Sequence, residues 1–364
     1  MKALDMRSSR SAISELLQVS PQKFFDVIFG KEHAFSSNGA VPYLSTLPNI
    51  DELDGLYFAL DSAGTRLGVV DGHASPSSGT SLLRNDGRVR LDEVHTAYRS
   101  GKTLLLTHLQ NSHLGIARIA RSMECELQEA GVLLRKEVGA NLFLTPPNSR
   151  GFDPHYDGHD VLILQLAGAK TWKVFDQLSD VPPGMEGGRL TADQLSPASD
   201  VFDLSPGNVL YLPRGRPHAA YTTNKNSLHL TLSIIPATLT DFISEELKTN
   251  KDTDQRITEK MQSADLQLSA ARVEELKKRL LRRWLANLNA IPEAAPWIAP
   301  TEKTSMTIRL ANDLIVELES VPSEDKFEVL MPGASVRLGA DGVEALRLLL
   351  AGKIISPSQI SLGG

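Results

Sequence analysis

The stretch Asn141-Leu-Phe-Leu-Thr-Pro-Pro-Asn-Ser-Arg-Gly-Phe-Asp-Pro-His155-Tyr-Asp157-Gly-His-Asp-Val-Leu-Ile-Leu-Gln-Leu-Ala-Gly-Ala-Lys170-Thr-Trp-Lys-Val-Phe175 decides how this chain folds. It reads as strand, loop, strand, tight turn, strand. His155 and Asp157 are two residues apart, so an extended backbone turns both side chains to one side. Pro154 favours an extended conformation just before the pair. The pair stands ahead of Val161–Leu166, a near-continuous apolar run of the kind that lines a barrel. His155 is the only histidine in the sequence with an acid two positions on.

Two imidazoles and one carboxylate on one face of a metal make a mononuclear non-haem iron site, with the opposite positions left open. A His-x-Asp pair supplies two of these ligands but arises easily by chance. The run Leu212-Pro-Arg-Gly-Arg-Pro-His218 supplies the third, because Pro213 and Gly215 shape a turn that presents His218 at a strand start. His159 reads as a polar loop residue, with a fourth ligand as the alternative. His229, between Leu228 and Leu230, reads as a hydrogen-bonded core or sheet residue.

Working outward, a chain of 364 residues implies two or three domains. Hydrophobic content of 41% and charged content of 23% are those of a soluble globular protein. A net charge of −6 argues against non-specific nucleic-acid binding. The single cysteine, Cys125, excludes a disulfide framework and a Cys-rich zinc site, and its helical context predicts a core thiol. No apolar run approaches the ~20 residues of a membrane span. Residues 1–10 lack the apolar centre of a secretory signal and are expected to fray, so a cytoplasmic protein without a membrane partner is the expectation.

Pro21 and Gly30 bracket a short helix with a buried face. Candidate strands follow at 57–60 and 67–70, then a polar loop over 72–79 and a buried strand at 103–107. Ile116, Ala120, Met123 and Leu127 predict an amphipathic helix over 112–130, stopped at Gly131. A strand is expected over 132–145, broken at Gly139-Ala140. Strand-rich zones at 161–175, 200–212 and 219–235 then point to a sandwich or jelly-roll barrel. From Pro236 the character changes. Val273, Leu276, Leu280, Trp284 and Leu288 stripe a helical region over 238–289. Its basic flanks read as a solvated or partner-facing surface rather than a nucleic-acid site. Beyond the prolines of 292–300, strands at 306–310, 314–319 and 327–330 and a helix over 341–350 make a small α+β domain.

Asn141, Phe143, Thr145, Pro154-His155-Tyr156-Asp157, Lys170, Trp172 and Pro213-Arg214-Gly215 with His218 together resemble the ribosomal oxygenases, a branch of the Jumonji-C, cupin-like iron(II)/2-oxoglutarate dioxygenases. Lys170 follows His155 by 15 residues, as in that family. The resemblance implies a mainly β fold with α: a double-stranded β-helix barrel with a mixed leader over 1–235. A helical dimerisation region over 236–295 and a small winged-helix-like domain over 296–364, cut short at Gly363-Gly364, would follow. It implies Fe(II) on His155, Asp157 and His218, and O2 as oxidant. It implies 2-oxoglutarate as cosubstrate, with Lys170 on the distal carboxylate and Asn141, Thr145 and Ser233 as further contacts. The implied activity is β-carbon hydroxylation of an Arg- or His-type side chain in a protein or peptide, a ribosomal protein among the candidates, by a homodimer.

Two positions depart from the family pattern. Phe143 replaces a tyrosine, removing a hydroxyl near the cosubstrate. Gly158 replaces a common acid and opens a second reading, an oxygenase of a specialised metabolite or ribosomally made peptide. A third reading, a non-catalytic cupin-like scaffold, runs against the intact set His155, Asp157, His218 and Lys170.

Overall fold

The computed structural model describes residues 11–58, 66–71, 77–78, 82–84, 88–178, 187–238, 241, 278, 317–320, 326–331 and 334–350. Its helices in chain order are α1 (Ala12–Leu17), α2 (Pro21–Lys23), α3 (Leu53–Phe58), α4 (Leu91–Arg99), α5 (Leu114–Glu129) and α6 (Ala340–Leu350). Its strands are β1 (Ala34–Ser36), β2 (Arg66–Val70), β3 (Ser77–Ser78), β4 (Thr103–Thr107), β5 (Gly139–Thr145), β6 (His155–Tyr156), β7 (Asp160–Gly168), β8 (Lys170–Val174), β9 (Gly188–Arg189), β10 (Asp200–Leu204), β11 (Val209–Leu212), β12 (His218–Tyr221), β13 (Ser227–Ile234), β14 (Glu317–Ser320), β15 (Lys326–Met331) and β16 (Ala334–Gly339).

Among the described residues these form two antiparallel sheets of the jelly roll, ordered β1-β11-β7-β13-β5-β4-β2-β3 and β10-β8-β12-β6-β9. Strand β7 shows why the larger sheet reads as an apolar run. Leu162, Leu164 and Leu166 join the cluster that holds α1 and α5, while Val161 and Ile163 pack with Trp172, Val174 and Leu204 of the smaller sheet. Both faces are covered, so neither needs to be polar. In β13 the same alternation sends Leu228, Leu230 and Leu232 to the helical side and His229, Thr231 and Ser233 to the cavity between the sheets. In β5, Leu142 and Leu144 face the helices, and Asn141 and Phe143 face the cavity.

Local chemistry sets the element ends. His113 accepts from the Ile116 N–H at the start of α5, and Gly131 adopts φ +80° just past its end, close to the expected span. Cys125 is buried in that helix. Buried Glu126 reaches back from α5 to accept from Ser14 Oγ (2.7 Å), the Ile13 N–H (2.9 Å) and Ser11 Oγ, tying the leader to the barrel. Ser20 caps α2, which runs into a π-helical turn over Phe24–Ile28, and Gly30 follows at φ +68°.

Three expectations need correction. Tyr57 lies in α3, not in a strand: the Asn49/Glu52 capping box starts a helical path at Ile50 that buries Tyr57 one face in. Residues 132–138 form no strand beyond the isolated Leu134–Pro236 bridge, and Gly139-Ala140 opens β5 rather than breaking it. Ala140 is fully buried there, and Gly139 pairs with Ser233. Of the loop at 72–79, Ser77–Ser78 pair with Val69 and Gly68 as β3, and residues 72–76 and 79 lie outside the described residues.

The helical region 238–289 lies outside the described residues except at three positions. Thr238 and Asp241 make the reciprocal hydrogen bonds of a helix start, Thr238 N–H to Asp241 Oδ2 at 2.8 Å and Asp241 N–H to Thr238 Oγ1 at 3.2 Å. The expected strand at 306–310 also lies outside. Further on, β14, β15 and β16 form an antiparallel sheet of consecutive strands followed by α6. The strand at 334–339 was not anticipated from the sequence.

The turn that carries the chain from β7 in the larger sheet to β8 in the smaller one is made at Gly168, at φ +66°, where a Cβ would fall 1.9 Å from the Asn226 carbonyl oxygen. Gly168→Ala is expected to destabilise the barrel by about 2 kcal/mol, measured as a lowered midpoint of denaturant unfolding with unchanged slope.

Candidate active site

Three side chains converge at one end of the cavity. His155 opens β6, Asp157 follows it, and His218 opens β12; His155 and His218 are direct partners across the β6–β12 pair. Their ligand atoms all lie within 4.8 Å of one another. Asp157 carboxylate oxygens stand 3.9 Å from His155 Nε2 and 3.8 Å from His218 Nε2. Each imidazole donates its other nitrogen to a backbone carbonyl, His155 Nδ1–H to Asp153 O (2.8 Å) and His218 Nδ1–H to Arg216 O (3.0 Å). That fixes the tautomer and leaves both Nε2 lone pairs facing the carboxylate, the arrangement that receives a divalent metal. Burial and the neighbouring His155 hold His218 down to about 4, so it is a neutral ligand at physiological pH.

Two hydrogen bonds lock the ligand-bearing segments together. Gly215 N–H donates to Asp157 O (2.9 Å) and Arg214 N–H to Asp160 Oδ1 (2.7 Å). Asp160 is buried and also hydrogen-bonds Tyr211, whose hydroxyl accepts from the Gly30 N–H at 2.8 Å. Asp160 thus holds the turn that delivers His218. Nothing in the sequence beyond its position at a strand start marked it. Asp160→Ala is expected to weaken metal affinity by about 10- to 100-fold, with Asp160→Asn, which keeps an acceptor, near wild type; titration with cobalt(II) followed by its visible absorption measures this.

The cavity holds about 270 Å3 and is lined by apolar side chains and by Asn141, Lys170 and Ser233 of the remaining expected residues, whereas Thr145 is fully buried and not part of the lining. Asn141, His159 and Ser233 line it; His159 Nε2 and Ser233 Oγ hydrogen-bond each other at 3.1 Å, and His159 is not part of the metal-ligating group. Lys170 starts β8 at 4% exposure, with its Nζ 3.1 Å from Thr145 Oγ1. Thr145 is itself held by Thr103 (3.2 Å). Burial alone pushes the Lys170 ammonium down to about 7, with no carboxylate among the described residues to offset it. Two more buried polar atoms of the lining lack partners: Trp172 Nε1 and His229 Nδ1. An unbalanced cation and two orphaned nitrogens fit an anionic, carboxylate-bearing ligand beside the triad.

His229 departs from the expectation of a hydrogen-bonded sheet residue. It is buried in β13 as expected, but it faces the cavity. There it stacks on Phe143, its cross-strand partner, at 4.9 Å and 5°. Desolvation and the Lys170 charge hold it well below the usual histidine range. A histidine flanked by leucines at alternate positions of a strand was the available signal.

Residues 108–242 match the family profile described as the JmjC domain. The chain is 33% identical over 221 residues to the bifunctional lysine-specific demethylase and histidyl-hydroxylase NO66 of Drosophila willistoni, covering 59% of this chain and 27% of that one. It is 47% identical over 102 residues to the protein of the same name from Drosophila grimshawi, 27% of this chain and 14% of that one. The chain therefore spans about a quarter or less of these relatives' length. The X-ray structure of E. coli ycfD superposes with a TM-score of 0.52 at 16% identity, over 95% of this chain and 93% of that one, which shows a shared fold. With the motif in place, the sheets of a jelly roll around it and the profile match spanning both segments that carry His155, Asp157 and His218, residues 108–242 form a JmjC domain.

Proposed function

We propose that this protein is an iron(II)- and 2-oxoglutarate-dependent oxygenase that hydroxylates an Arg- or His-type side chain, at the β-carbon, in a protein or peptide. The observation that carries the reading is the pairing of the His155/Asp157/His218 set with a buried cation, Lys170, in one cavity. The names of the NO66 relatives, histidyl-hydroxylases among their activities, support the substrate class.

In this reading His155, Asp157 and His218 hold iron(II). Lys170, steadied by Thr145, binds the distal carboxylate of 2-oxoglutarate, and Asn141 and Ser233 bound its other end. Bound iron(II), with 2-oxoglutarate and O2, supplies the oxidising power that turns a C–H into a C–OH while the cosubstrate leaves as succinate and carbon dioxide. The chain's own contribution is to orient. The carbonyls of Asp153 and Arg216 hold the imidazoles, Phe143, Phe152, Val161 and Ile163 exclude water, and His229, kept neutral, places no second cation beside Lys170. Phe143 presents a ring face where a tyrosine would present a hydroxyl, and His229 packs flat against it.

The test is succinate release from 2-oxoglutarate with iron(II) and ascorbate, alone and with cell-extract proteins and peptides screened for a gain of one oxygen atom. Turnover with a gain on Arg or His supports the proposal. A gain on a small metabolite or a ribosomally made peptide would favour the reading that Gly158 opens, and absence of both metal uptake and turnover would favour a binding scaffold. We further propose that residues 236–295 pair two copies of the chain and that 296–364 fold as a winged-helix-like unit, with cytoplasmic placement. A monomeric mass in solution contradicts the pairing. Among the described residues no helix is long and apolar enough to cross a membrane.

A further inference from the structure

Outside the metal cavity lies a second, larger concavity of about 470 Å3. Phe152 and Ala220 line both spaces, so the two meet beside the triad. The outer one exists because β12 is covered incompletely. Its flank pairs with β6 only at His218–His155, and the next link is the single bridge from Tyr221 to Arg150. Between those points the chain at 151–154 bows away. Ala219 and Ala220, two small residues, form the floor of the gap.

The walls have a definite chemistry. Phe152, Phe175 and Tyr221 supply aromatic surface, and Arg150 and Lys173 supply charge. No carboxylate lines this groove among the described residues. Lys173 is exposed, lies over the Tyr221 ring at 5.6 Å, and has no ion-pair partner among the described residues. Arg150 is exposed and engaged loosely by Asp153, at 3.5 Å. On a chain of net charge −6, the approach to the triad is a local reversal of sign.

We propose that this groove binds the residues flanking the reacting side chain of a peptide substrate, and that it selects a segment with an Asp or Glu carboxylate there. The inference rests on the oxygenase reading above and names its substrate class further. The inner cavity of about 270 Å3 takes the cosubstrate and one side chain. The segment that carries that side chain must leave through the space bounded by Phe152 and Ala220, which is this groove. A carboxylate there meets Lys173 as a charge-assisted hydrogen-bond donor and Arg150 as a planar fork. The aromatic walls cover the apolar stems of neighbouring residues. Because both cations are exposed, the selection is modest and sensitive to salt.

The test uses the full chain loaded with nickel(II) and 2-oxoglutarate, which holds the site without turnover. Short fluorescein-labelled Gly/Ser peptides with a central Arg or His carry two Glu, two Ser or two Lys beside it, and binding is read by fluorescence anisotropy. The acidic-flanked peptides are expected to bind about fivefold tighter than the neutral ones, and the basic-flanked ones weaker still. Lys173→Glu is expected to invert the order and Lys173→Gln to flatten it. Raising salt to about 0.5 M is expected to shrink it. Equal binding of the three peptides, no detectable binding of any, or an order unchanged in both Lys173 variants overturns the proposal. Metal uptake and succinate release without peptide are measured in parallel. If these hold while flank charge has no effect, only the groove assignment falls. If both fail while the charge preference stands, the oxygenase reading falls instead.

Discussion

His155→Ala is expected to abolish stoichiometric metal binding and, with it, all 2-oxoglutarate turnover. His155 is one of the three residues of the candidate metal group, and its Nε2 faces Asp157 at 3.9 Å, while His159 and His229, which line the same cavity, are not part of that group. Losing a group that merely supports a ligand costs about 10- to 100-fold in affinity, so losing the ligand itself must exceed that range. The barrel is expected to survive. His155 is half-buried at the cavity edge, and β6 makes only short pairings with β12 and β9. Metal content by elemental analysis after dialysis, with the thermal transition of the metal-free protein as control, decides the matter. A variant that keeps one equivalent of metal removes His155 from the site.

Lys170→Ala is expected to raise the KM for 2-oxoglutarate by about a hundredfold, while leaving metal affinity intact. Truncating one member of a buried, hydrogen-bonded charge pair costs about 3 kcal/mol, largely because the other charge is stranded. An unchanged KM would take Lys170 out of this role. The same residue predicts a pH effect. With no anion beside it, the folded-state ammonium titrates at about 7 instead of the ordinary 10.5. Between those values the unfolded chain holds a proton that the folded chain has shed, so the ligand-free protein gains stability as pH rises through that window. Below about pH 7 both states are charged, and the burial penalty is fully present. Lys170→Met is expected to remove this dependence and to raise the melting temperature of the ligand-free protein at neutral pH. A dicarboxylate restores the charged form. Its binding at pH 8 to 9 is therefore expected to take up a proton, seen in calorimetry as an enthalpy that varies with the buffer's ionisation heat. Binding without proton uptake would mean that Lys170 is not the anion's partner.

How much of this could be read from the chain differs between the metal end and the cosubstrate end of the cavity. The metal end was legible because its signals are local. A His-x-Asp on extended backbone and a Pro/Gly turn ahead of a histidine are short-range geometry, and His155, Asp157 and His218 come together as expected. Lys170, Asn141 and Ser233 come to one cavity, while Thr145, expected as a further contact, is buried and hydrogen-bonds the Lys170 ammonium instead. Asp160 was not legible, because its work is to accept from Arg214, 54 residues away. His229 was misread for a related reason: flanking leucines say that a strand residue is buried, and not which side of the sheet it faces or whether its nitrogen finds a partner. Tyr57 fell to helix because an upstream cap outweighed a short apolar pattern that fits either element.

By itself the sequence determined the jelly-roll class and the candidates His155, Asp157 and His218, since alternation, turn residues and motif spacing are written in consecutive residues, and its motif carried the resemblance to the JmjC enzymes. Only the tertiary structure decided that Val161 and Ile163 face one layer while Leu162 and Leu164 face another, and that Lys170 is left without a counter-charge. It alone placed Phe143 against His229 and opened a cationic groove onto the triad. These are matters of register between strands far apart in the chain. Register is set by the packing of both sheets and the helical layer together, not by any single segment.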